Sequence, residues 1–513
     1  MTSLSSTSGA EVATPESRAG GIAGRILRFL WRHALLLLVL AAGLTLRVLM
    51  IRAYPHALHF SDSTSYVRGA FTNVPYEIRP FGYSILLKPF VPGPLERVAV
   101  AQHVVGLLMV LGAYAFLVRR GAWRWLAALA VVPIALDARA LTLEHFVLAE
   151  TTYVAFTAAG IFLLAWREKI GAVAAAFAGL LLGFAAISRS VGLPILALVL
   201  LYLIVRRAGW ARILAFLVPA GLILGGYMVW YHQTYQVYAM GQYQGRFLYA
   251  RVMTVADCAT LDLTEKQRTL CPADIPASWR ERPDNFLWSP DSPARKLYPG
   301  VEHDEFFNEF AMTVIKQQPL DFAGMVLEET GWHLRLKAPL STRNQCLMDR
   351  WIPPAMPGAD CNAPYFLPTP SPMTWPAQTI PVPNPLGEEL RAYGRVATTP
   401  GPLYAVGVLL ALTAAAFRPR RVPWRDAADS LLLVGTGFGL IVVSVGTSIF
   451  DYRYSSPAVL FVPVGIALAV KRISDAARQP KPVPAGAPAP EPVSPAPPPT
   501  SPTTEEATAD HGS

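Results

Sequence analysis

Ten apolar runs constrain the fold of this chain more than any other feature of its sequence. A helix of about 20 apolar residues crosses a lipid bilayer, and soluble domains rarely contain such a run. With 53% hydrophobic and only 15% charged residues among 513, the composition excludes an ordinary soluble protein. We therefore predict an all-α polytopic membrane protein. The predicted spans are residues 34–52, 98–118, 123–137, 142–166, 170–187, 191–205, 213–230, 403–417, 431–449 and 458–470.

The connections between successive spans are alternately rich and poor in lysine and arginine, and this alternation predicts the orientation of the chain. The positive-inside rule places the rich connections in the cytoplasm. They contain Arg25, Arg28, Arg32, Arg119, Arg120, Arg124, Arg167, Lys169, Arg206, Arg207, Arg212, Arg418, Arg420, Arg421, Arg425, Lys471 and Arg472. The poor short connections contain only Arg139, Arg189 and Arg453. Both termini are therefore predicted to be cytoplasmic. The net charge of +9 is dispersed in this pattern and forms no basic stripe for nucleic acid.

Composition and orientation together divide the chain into five parts. Residues 1–24 and 474–513 are rich in small residues or proline, so both are predicted to be disordered cytoplasmic tails. Residues 25–230 are predicted to form a transmembrane module in the cell membrane, with a first outer loop at 53–97. Residues 231–402 are predicted to form an extracytoplasmic cap with helices at 303–317 and 320–337, and residues 403–473 the C-terminal transmembrane helices.

The four cysteines of the chain, Cys258, Cys271, Cys346 and Cys361, all fall in the predicted cap. A compartment outside the membrane favours disulfides, and four thiols permit three pairings. Closeness in the sequence favours Cys258 with Cys271 and Cys346 with Cys361, although the sequence leaves the pairing open. A zinc site is the alternative, and it is disfavoured because neither pair has the short separation of a zinc knuckle.

Five short polar motifs lie at the predicted outer ends of the spans. They are FSDSTSY (60–66), EIRPFGY (77–83), LAETTY (148–153), SRSVGLP (188–194) and DYRYSSP (451–457). This pattern resembles the GT-C superfamily of membrane glycosyltransferases, which includes protein mannosyltransferases and lipid A aminoarabinose transferases. The resemblance implies a GT-C-like helix bundle with an extracytoplasmic cap and a polyprenyl-phosphate sugar donor. It also implies inverting transfer of a hexose or pentose to an acceptor glycan, lipid or protein outside the membrane.

Asp62 is the candidate catalytic residue. An acceptor hydroxyl is a poor nucleophile, and a carboxylate can take its proton as it attacks the anomeric carbon. The phosphate leaving group is already stable as an anion, so this chemistry needs no second carboxylic acid. The alternative is structural, because Ser61, Asp62 and Ser63 are residue types that cap a helix, here one beginning near Thr64.

Arg79, Arg189 and Arg453 are the candidates for binding the donor phosphate, because a guanidinium binds phosphate oxygens in pairs and stays charged. Arg79 precedes a proline, as a basic residue does in the transferases that modify lipid A. Each arginine also has a structural alternative. Arg79 could anchor an interfacial helix predicted at 76–90, Arg189 could reach lipid phosphate, and Arg453 could pair with Asp451.

Further candidates for contacting the donor, the acceptor or a metal ion are Glu150, Glu144, His145 and Tyr66. Ionisable groups within apolar segments are costly and therefore usually have a purpose. The buried Arg47 could pair with Glu150 or with Asp62 for purely structural reasons. No cofactor is assigned, and Asp62 with Glu150 is the pair that would hold a divalent cation such as Mg²⁺ or Mn²⁺.

Two other functional classes remain as alternatives. A transporter or lipid flippase would show repeated halves and ionisable residues at the membrane midplane, whereas the candidates here collect at one end of the spans. A polymerase or ligase of surface polysaccharides would also use outer arginines, but Asp62 directly after the first span argues against it. The expected partners are the lipid bilayer, the lipid-linked sugar and its acceptor, with no nucleic acid.

Overall fold

The computed structural model describes residues 15–91, 93–271, 275–337, 339, 347, 350–354, 384–416 and 423–478, with side chains from residue 24 onward. These residues form helices joined by turns and loops. Extended pairing within this part of the chain is limited to one isolated parallel bridge, between Leu58 and Phe146. The prediction of an all-α protein is therefore confirmed.

The α-helices of the first half are α1 (Pro15–Arg32), α2 (Ala34–Ala53), α3 (Ser61–Thr72), α4 (Gly82–Leu87), α5 (Glu96–Arg119), α6 (Arg124–Ala130), α7 (Val132–Leu136), α8 (Ala138–His145), α9 (Glu150–Ala165), α10 (Ala172–Ser188), α11 (Leu193–Val205) and α12 (Trp210–Tyr235). Those of the second half are α13 (Gln244–Val252), α14 (Glu265–Arg268), α15 (Ala277–Glu281), α16 (Asp284–Trp288), α17 (Pro293–Lys296), α18 (Asp304–Gln317), α19 (Pro319–Leu334), α20 (Pro385–Val396), α21 (Pro402–Ala416), α22 (Arg425–Thr447) and α23 (Ser456–Ala477). Short 3-10 helices lie at Lys88–Phe90, Ser190–Gly192, Val301–His303 and Tyr452–Ser455.

Among the described residues, five helices are long and apolar enough to cross a membrane: α2, α5, α12, α22, and α23 with the 3-10 turn before it. The shorter apolar helices α9, α10, α11 and α21 accompany them. Large apolar side chains point outward from these helices, such as Leu38, Leu108 and Leu222 with 58–71% of their surface exposed. Such a surface suits hydrocarbon and not water. The polytopic membrane character predicted from the sequence is confirmed.

Two predicted spans are interrupted. Residues 123–137 form two short helices, α6 and α7, that meet at Val131. The predicted span 142–166 is wrong at its start, because α8 ends at His145 and α9 begins only at Glu150. The backbone of the connecting residues bonds to another segment, with the Val147 N–H donating to the Leu58 carbonyl at 2.9 Å. Glu144 and Glu150 therefore lie on different helices.

Small residues let the membrane helices approach closely. A Cβ atom added at Gly183 of α10 would lie 3.1 Å from Ala220 Cα of α12, and one at Gly437 of α22 would lie 3.0 Å from Ala458 Cα of α23. Close backbone approach is a common means of packing helices in membranes, where association gains little from the hydrophobic effect. The bundle therefore depends on tight van der Waals contact.

A buried ionic cluster joins the helices at one end of the bundle. Arg120, which follows α5, bonds to both Asp426 and Asp429 of α22. Asp429 also accepts hydrogen bonds from Tyr202 at 2.7 Å and Arg206 at 3.0 Å, both at the end of α11. This end of the bundle contains the last residue of α9 and the first residues of α22. We call Arg120, Tyr202, Arg206, Asp426 and Asp429 the basal cluster.

Helices α13 to α19, here called the cap, pack around a core that includes Tyr249, Phe286 and Phe310. Its helices α18 and α19 correspond to the pair predicted at 303–317 and 320–337. The predicted disulfide between Cys258 and Cys271 is present. Cys346 and Cys361 lie outside the described residues. At the N-terminus, residues 15–24 begin α1, so the predicted disorder of 1–24 is wrong for that part.

Candidate active site

Asp62 lies in the first turn of α3 and does not cap it. The Phe60 N–H donates instead to Ser63 Oγ at 2.9 Å, so the serine caps the helix start. Only 4% of the surface of Asp62 is exposed, although the residue belongs to a loop segment between two membrane helices. A buried carboxylate needs partners, since an unpaired buried charge is costly.

Two arginines form ion pairs with Asp62, and Ser61 Oγ donates a longer hydrogen bond to its Oδ1 at 3.4 Å. Arg79 Nη2 donates to Oδ1 at 2.5 Å, and Arg453 Nη1 donates to Oδ2 at 2.9 Å. Arg79 comes from the same outer loop, whereas Arg453 belongs to the 3-10 helix before α23. The structure therefore brings together Asp62 and two of the three arginines proposed from the sequence.

Glu150 completes the group as the first residue of α9, with 4% of its surface exposed. Arg453 Nε lies 3.0 Å from Glu150 Oε1, and Arg189 forms an ion pair with the same oxygen. Arg453 thus contacts both carboxylates at once, one through Nη1 and one through Nε. We call Asp62, Glu150, Arg79, Arg189 and Arg453 the ionic centre.

The charges of the ionic centre determine the protonation of Asp62. Burial alone would raise the pKa of this carboxyl, but the guanidiniums of Arg79, Arg453 and Arg189 outweigh burial and hold the pKa below its usual range. Asp62 is therefore an anion at neutral pH. Three guanidiniums face two carboxylates, which leaves one positive charge in excess.

Aromatic side chains of α12 hold the loop that carries Arg79. The hydroxyl of Tyr231 donates to the Glu77 carbonyl at 2.9 Å, and that of Tyr235 donates to the Pro75 carbonyl at 2.7 Å. The Gln242 N–H donates to the Glu77 carbonyl as well, at 2.8 Å. These hydrogen bonds hold the backbone of the loop just before Arg79. They therefore fix the position of Arg79 relative to α12.

The interfacial helix predicted at 76–90 is largely absent. Within this range only Gly82–Leu87 is α-helical, followed by the 3-10 turn Lys88–Phe90. The start of α4 packs against the end of α10, where a Cβ at Gly82 would lie 2.6 Å from Ser188 Oγ and 2.7 Å from the Ile187 carbonyl. This contact requires glycine and brings the segment after Arg79 next to Arg189.

Arg453 is held by backbone and ring contacts and not by an ion pair with Asp451. The Asp451 carboxylate accepts from the Arg453 N–H at 2.9 Å and so caps the 3-10 turn. The guanidinium carbon lies 5.5 Å from the ring centres of Phe60 and Trp351. The local pairing considered for Arg453 is therefore wrong, and its guanidinium is directed to Asp62 and Glu150.

Tyr66 lies one turn after Asp62 on α3, with 4% of its surface exposed. Its ring meets Tyr83 edge-on at 5.0 Å between centroids. Burial raises the pKa of Tyr66, so its hydroxyl stays protonated and available as a hydrogen-bond donor. Tyr66 therefore borders the ionic centre, as the sequence suggested, without a charge of its own.

Glu144 and His145 lie in a second buried network and not in the ionic centre. Arg47 Nη2 lies 2.7 Å from Glu144 Oε1, which replaces the pairings of Arg47 with Glu150 or Asp62 that the sequence suggested. His103 Nδ1 lies 2.8 Å from Glu144 Oε2, and His103 Nε2 lies 3.0 Å from His145 Nδ1. His145 is thus bound by protein groups, since its Nε2 also lies 2.9 Å from the Tyr54 carbonyl oxygen.

This second network was missed in the sequence, although two adjacent polar residues within the apolar run 98–118 were a signal. Gln102 Nε2 donates to the carbonyls of Glu144 at 2.9 Å and Phe146 at 2.7 Å. Gln102 Oε1 accepts from the hydroxyl of Tyr83 at 2.8 Å. Gln102 therefore holds the connection before Glu150 and touches the ring that supports Tyr66.

The ionic centre is poorly suited to a divalent cation. Within the described ranges, no group of three His, Cys, Asp or Glu residues is arranged to hold a metal ion. The carboxylates of Asp62 and Glu150 are already bound by arginines, whose positive charge a cation would have to displace. A role for Mg²⁺ or Mn²⁺ stays a prediction.

Comparisons with known proteins found several solved structures and one family model that are similar to this chain. None of the curated proteins compared with the chain matches it. Among solved structures, the protein O-mannosyltransferase complex of S. cerevisiae bound to its sugar donor is 17% identical, over 45% of this chain and 37% of that chain, with a TM-score of 0.33. The oligosaccharyltransferase AglB of Archaeoglobus fulgidus, in complex with an inhibitory peptide and a dolichol-phosphate, is 13% identical over 87% of this chain and 51% of that chain, with a TM-score of 0.40.

ArnT from Cupriavidus metallidurans, bound to undecaprenyl phosphate, is 13% identical over 85% of this chain and 77% of that chain, with a TM-score of 0.32. The chain spans about half or less of the first two structures. Because the three TM-scores are below 0.5, the description of the fold rests on the helices of this chain. Residues 92–240 match the family model of dolichyl-phosphate-mannose-protein mannosyltransferases. This match confirms the resemblance to GT-C glycosyltransferases that the motifs predict.

Proposed function

We propose that this protein is a membrane glycosyltransferase that moves a sugar from a polyprenyl-phosphate carrier to an acceptor on the extracytoplasmic side. The observation that carries the proposal is the double contact of Arg453 with Asp62 and Glu150. It joins a candidate base, a second carboxylate and phosphate-binding groups within one buried centre. The match of residues 92–240 to a family of lipid-linked sugar transferases supports the same reaction class.

The excess positive charge of the ionic centre favours an anion. Arg79, Arg189 and Arg453 all have guanidinium N–H groups, and these bind phosphate oxygens in pairs. A phosphate beside three guanidiniums would bring the local charge close to balance. Arginine also stabilises the charge that develops on the phosphate as the sugar leaves.

The proposed reaction is a single displacement that inverts the anomeric carbon. The acceptor oxygen attacks this carbon while Asp62 takes the hydroxyl proton. The bond from the anomeric carbon to the phosphate oxygen breaks, and the carrier phosphate leaves with the electron pair. The arginines hold this leaving phosphate. Glu150 keeps Arg189 and Arg453 in place between turnovers.

Donor binding would also activate the base. In the described arrangement Arg79 and Arg453 neutralise Asp62 and lower the pKa of its carboxyl, which makes it a weak proton acceptor. A bound phosphate competes for the same guanidiniums and weakens their hold on Asp62. Losing part of this positive charge raises the pKa of the carboxyl toward its ordinary value. Asp62 would therefore become a stronger base only when a donor is present.

A small cavity beside the ionic centre supplies the apolar surroundings that a prenyl chain needs. Val154, Val191, Leu440 and Pro457 line it together with Glu150, Arg189 and Arg453. Apolar and charged groups thus meet at one place, as a phosphate attached to a prenyl chain requires. The volume of the cavity is only about 20 Å³, room for about one water molecule, so a prenyl chain would enter only if these side chains moved apart.

A transporter or flippase is the less favoured alternative. Glu150 begins α9, Arg189 follows α10, and Arg453 precedes α23, so the ionic centre lies at the ends of these helices and not within them. A polysaccharide polymerase or ligase is also less favoured, because Asp62 supplies a base beside the arginines. The proposal places this end of the bundle outside and both termini in the cytoplasm, following the distribution of basic residues.

Binding of a short prenyl phosphate tests the proposal directly. The full-length protein in detergent is titrated with farnesyl phosphate and, separately, with farnesol, which has the same chain without the charge. We expect tight binding of farnesyl phosphate only, and a loss of at least about tenfold in affinity in Arg189→Ala. Arg68→Ala is the matched control, because Arg68 is an exposed arginine on α3 outside the ionic centre. Equal affinity for farnesol and farnesyl phosphate would reject the proposal.

A further inference from the structure

A groove in the cap is a second candidate binding site. It has a volume of about 630 Å³, within the usual range for ligand pockets. One face of α19 forms its long wall, with Leu320, Gly324, Glu328 and Trp332 at intervals of four residues. With a rise of about 1.5 Å per residue, this wall is about 18 Å long. The groove is thus long enough for a chain of several small units.

The groove is acidic although the protein has a net charge of +9. Asp321 and Glu328 are exposed at its rim, and Glu281 lies on the opposite side with Arg280. At the floor, Glu329 is 8% exposed and forms an ion pair with Arg251 at 2.8 Å. The rim therefore presents carboxylate oxygens, which accept hydrogen bonds from hydroxyl groups.

The inner end of the groove reaches the segment that carries Arg453. The ring of Trp332 meets Phe450 edge-on, with 5.3 Å between centroids. Phe450 is followed by Asp451, which caps the 3-10 turn of Arg453. A chain lying along α19 would therefore be directed toward the ionic centre.

Trp332 also has an unsatisfied donor. Its indole Nε1 is buried and has no hydrogen-bond partner among the described residues. Buried donors are nearly always bonded, and leaving one unpaired costs free energy. Trp332 lines the groove, and its flat indole would offer a face on which a sugar ring could stack.

We infer that this groove binds the acceptor of the reaction, and that the acceptor is a polyhydroxylated carbohydrate chain. The inference rests on the proposed function. Carboxylates and an indole suit sugar hydroxyls and sugar ring faces. The wall is a helix with its backbone groups already paired, so it offers no strand edge to which a peptide backbone could add. Among glycan, lipid and protein acceptors, the carboxylates and the indole of the groove favour a glycan.

Binding of free oligosaccharides tests the inference without requiring turnover. The full-length protein in detergent is applied to an array of neutral oligosaccharides of two to eight units and to matched unstructured peptides. We expect binding to oligosaccharides alone. The double variant Asp321→Asn and Glu328→Gln is expected to lose at least about tenfold in this affinity, because both substitutions remove charge-assisted hydrogen bonds at exposed positions.

Two measurements make the result specific. Glu309→Gln on α18 removes an exposed carboxylate outside the groove and is expected to bind oligosaccharides as the wild-type protein does. Farnesyl phosphate affinity is expected to be unchanged in the double variant, which separates this inference from the donor site. A wild-type protein that binds no oligosaccharide, that prefers peptides, or that is unaffected by the double substitution would overturn the inference.

Discussion

Arg453 Nη1 donates a hydrogen bond to Asp62 Oδ2 over 2.9 Å, although the two residues are 391 positions apart in the chain. The contact closes the bundle, because the loop after α2 meets the turn before the last helix. The ionic centre therefore forms only when both ends of the membrane domain are folded together. Substitutions in the ionic centre are therefore expected to affect the folding of the bundle as well as the reaction.

Replacing Asp62 with asparagine is expected to reduce sugar transfer by about 10²–10⁴-fold, because the amide cannot accept the proton of the attacking hydroxyl. Farnesyl phosphate should still bind, since the three arginines remain. The transfer rate with a polyprenyl-phosphate sugar is compared with the affinity for farnesyl phosphate. Thr64→Ala, at an exposed position of the same helix, serves as the control. Full transfer activity in Asp62→Asn would show that Asp62 is not the base.

The acid limb of kcat/KM is expected to lie below about pH 3.9, the ordinary pKa of aspartate, in the wild-type protein. The pKa of Asp62 is lowered, so its active anionic form is lost only as the pH falls through that lowered value. Arg79→Gln removes one of the lowering charges while burial remains, so the limb should move to higher pH. Rate profiles of the two proteins between pH 3.5 and 8 test this shift. Coinciding acid limbs would contradict it.

Replacing Arg453 with lysine is expected to weaken farnesyl phosphate binding and to lower thermal stability. An ammonium keeps the charge but cannot contact Asp62 and Glu150 through separate nitrogens as the guanidinium does. Breaking a buried ion pair costs about 3–5 kcal/mol, and the retained charge should reduce this loss. Thermal unfolding in detergent and farnesyl phosphate titration are measured together. Wild-type values in both would show that the double contact is dispensable.

Replacing Gln102 with leucine is expected to lower kcat with little change in farnesyl phosphate affinity. Gln102 donates to the carbonyls of Glu144 and Phe146 and so positions the start of α9 without touching the ionic centre. A displacement of about 1 Å at a reacting group can cost about 10²-fold in rate. Val104→Ala, at an exposed position of α5, is the control. If kcat fell only in proportion to the amount of folded protein, the role of Gln102 would be structural and not one of positioning.

Replacing Asp429 with asparagine is expected to destabilise the protein while the folded fraction keeps its phosphate affinity. Asp429 is fully buried in the basal cluster, where Arg120 and Arg206 depend on it. Loss of the Asp429 charge leaves these two guanidiniums with less negative charge to balance them. The free energy of unfolding should fall by about 3 kcal/mol. Thermal unfolding of Asp475→Asn, whose side chain is 41% exposed, gives the comparison for a surface pair. Equal melting temperatures for the two variants would contradict this prediction.

The sequence predicted the ionic centre better than its surroundings. Hydropathy and the alternation of basic residues placed Asp62, Arg189 and Arg453 at one end of the spans, and the structure brings them together. That result needed only topology, because packed helices that end on the same side of a bundle have their ends near one another. Glu150 is the first residue of α9 and Arg189 directly follows α10, so their ion pair also agrees with the positions of these helix ends.

The second network could not be predicted because its basis is an interrupted helix. A hydropathy window reads residues 142–166 as continuous, whereas the backbone after His145 pairs with Leu58. That break turns Glu144 and His145 toward α5 and away from Glu150. The short helix at Gly82–Leu87 has a similar cause, since contact with α10 and the α12 aromatic side chains replaces the membrane interface as its environment.

Gly82 has a practical consequence for redesigning the protein. Because there is no room for a side chain between it and Ser188, the spacing of Arg79 and Arg189 depends on main-chain contact. A library aimed at a different carrier lipid could diversify Val154, Val191 and Leu440 while leaving this spacing intact. Any library that randomised position 82 would instead change the reach of both guanidiniums at once.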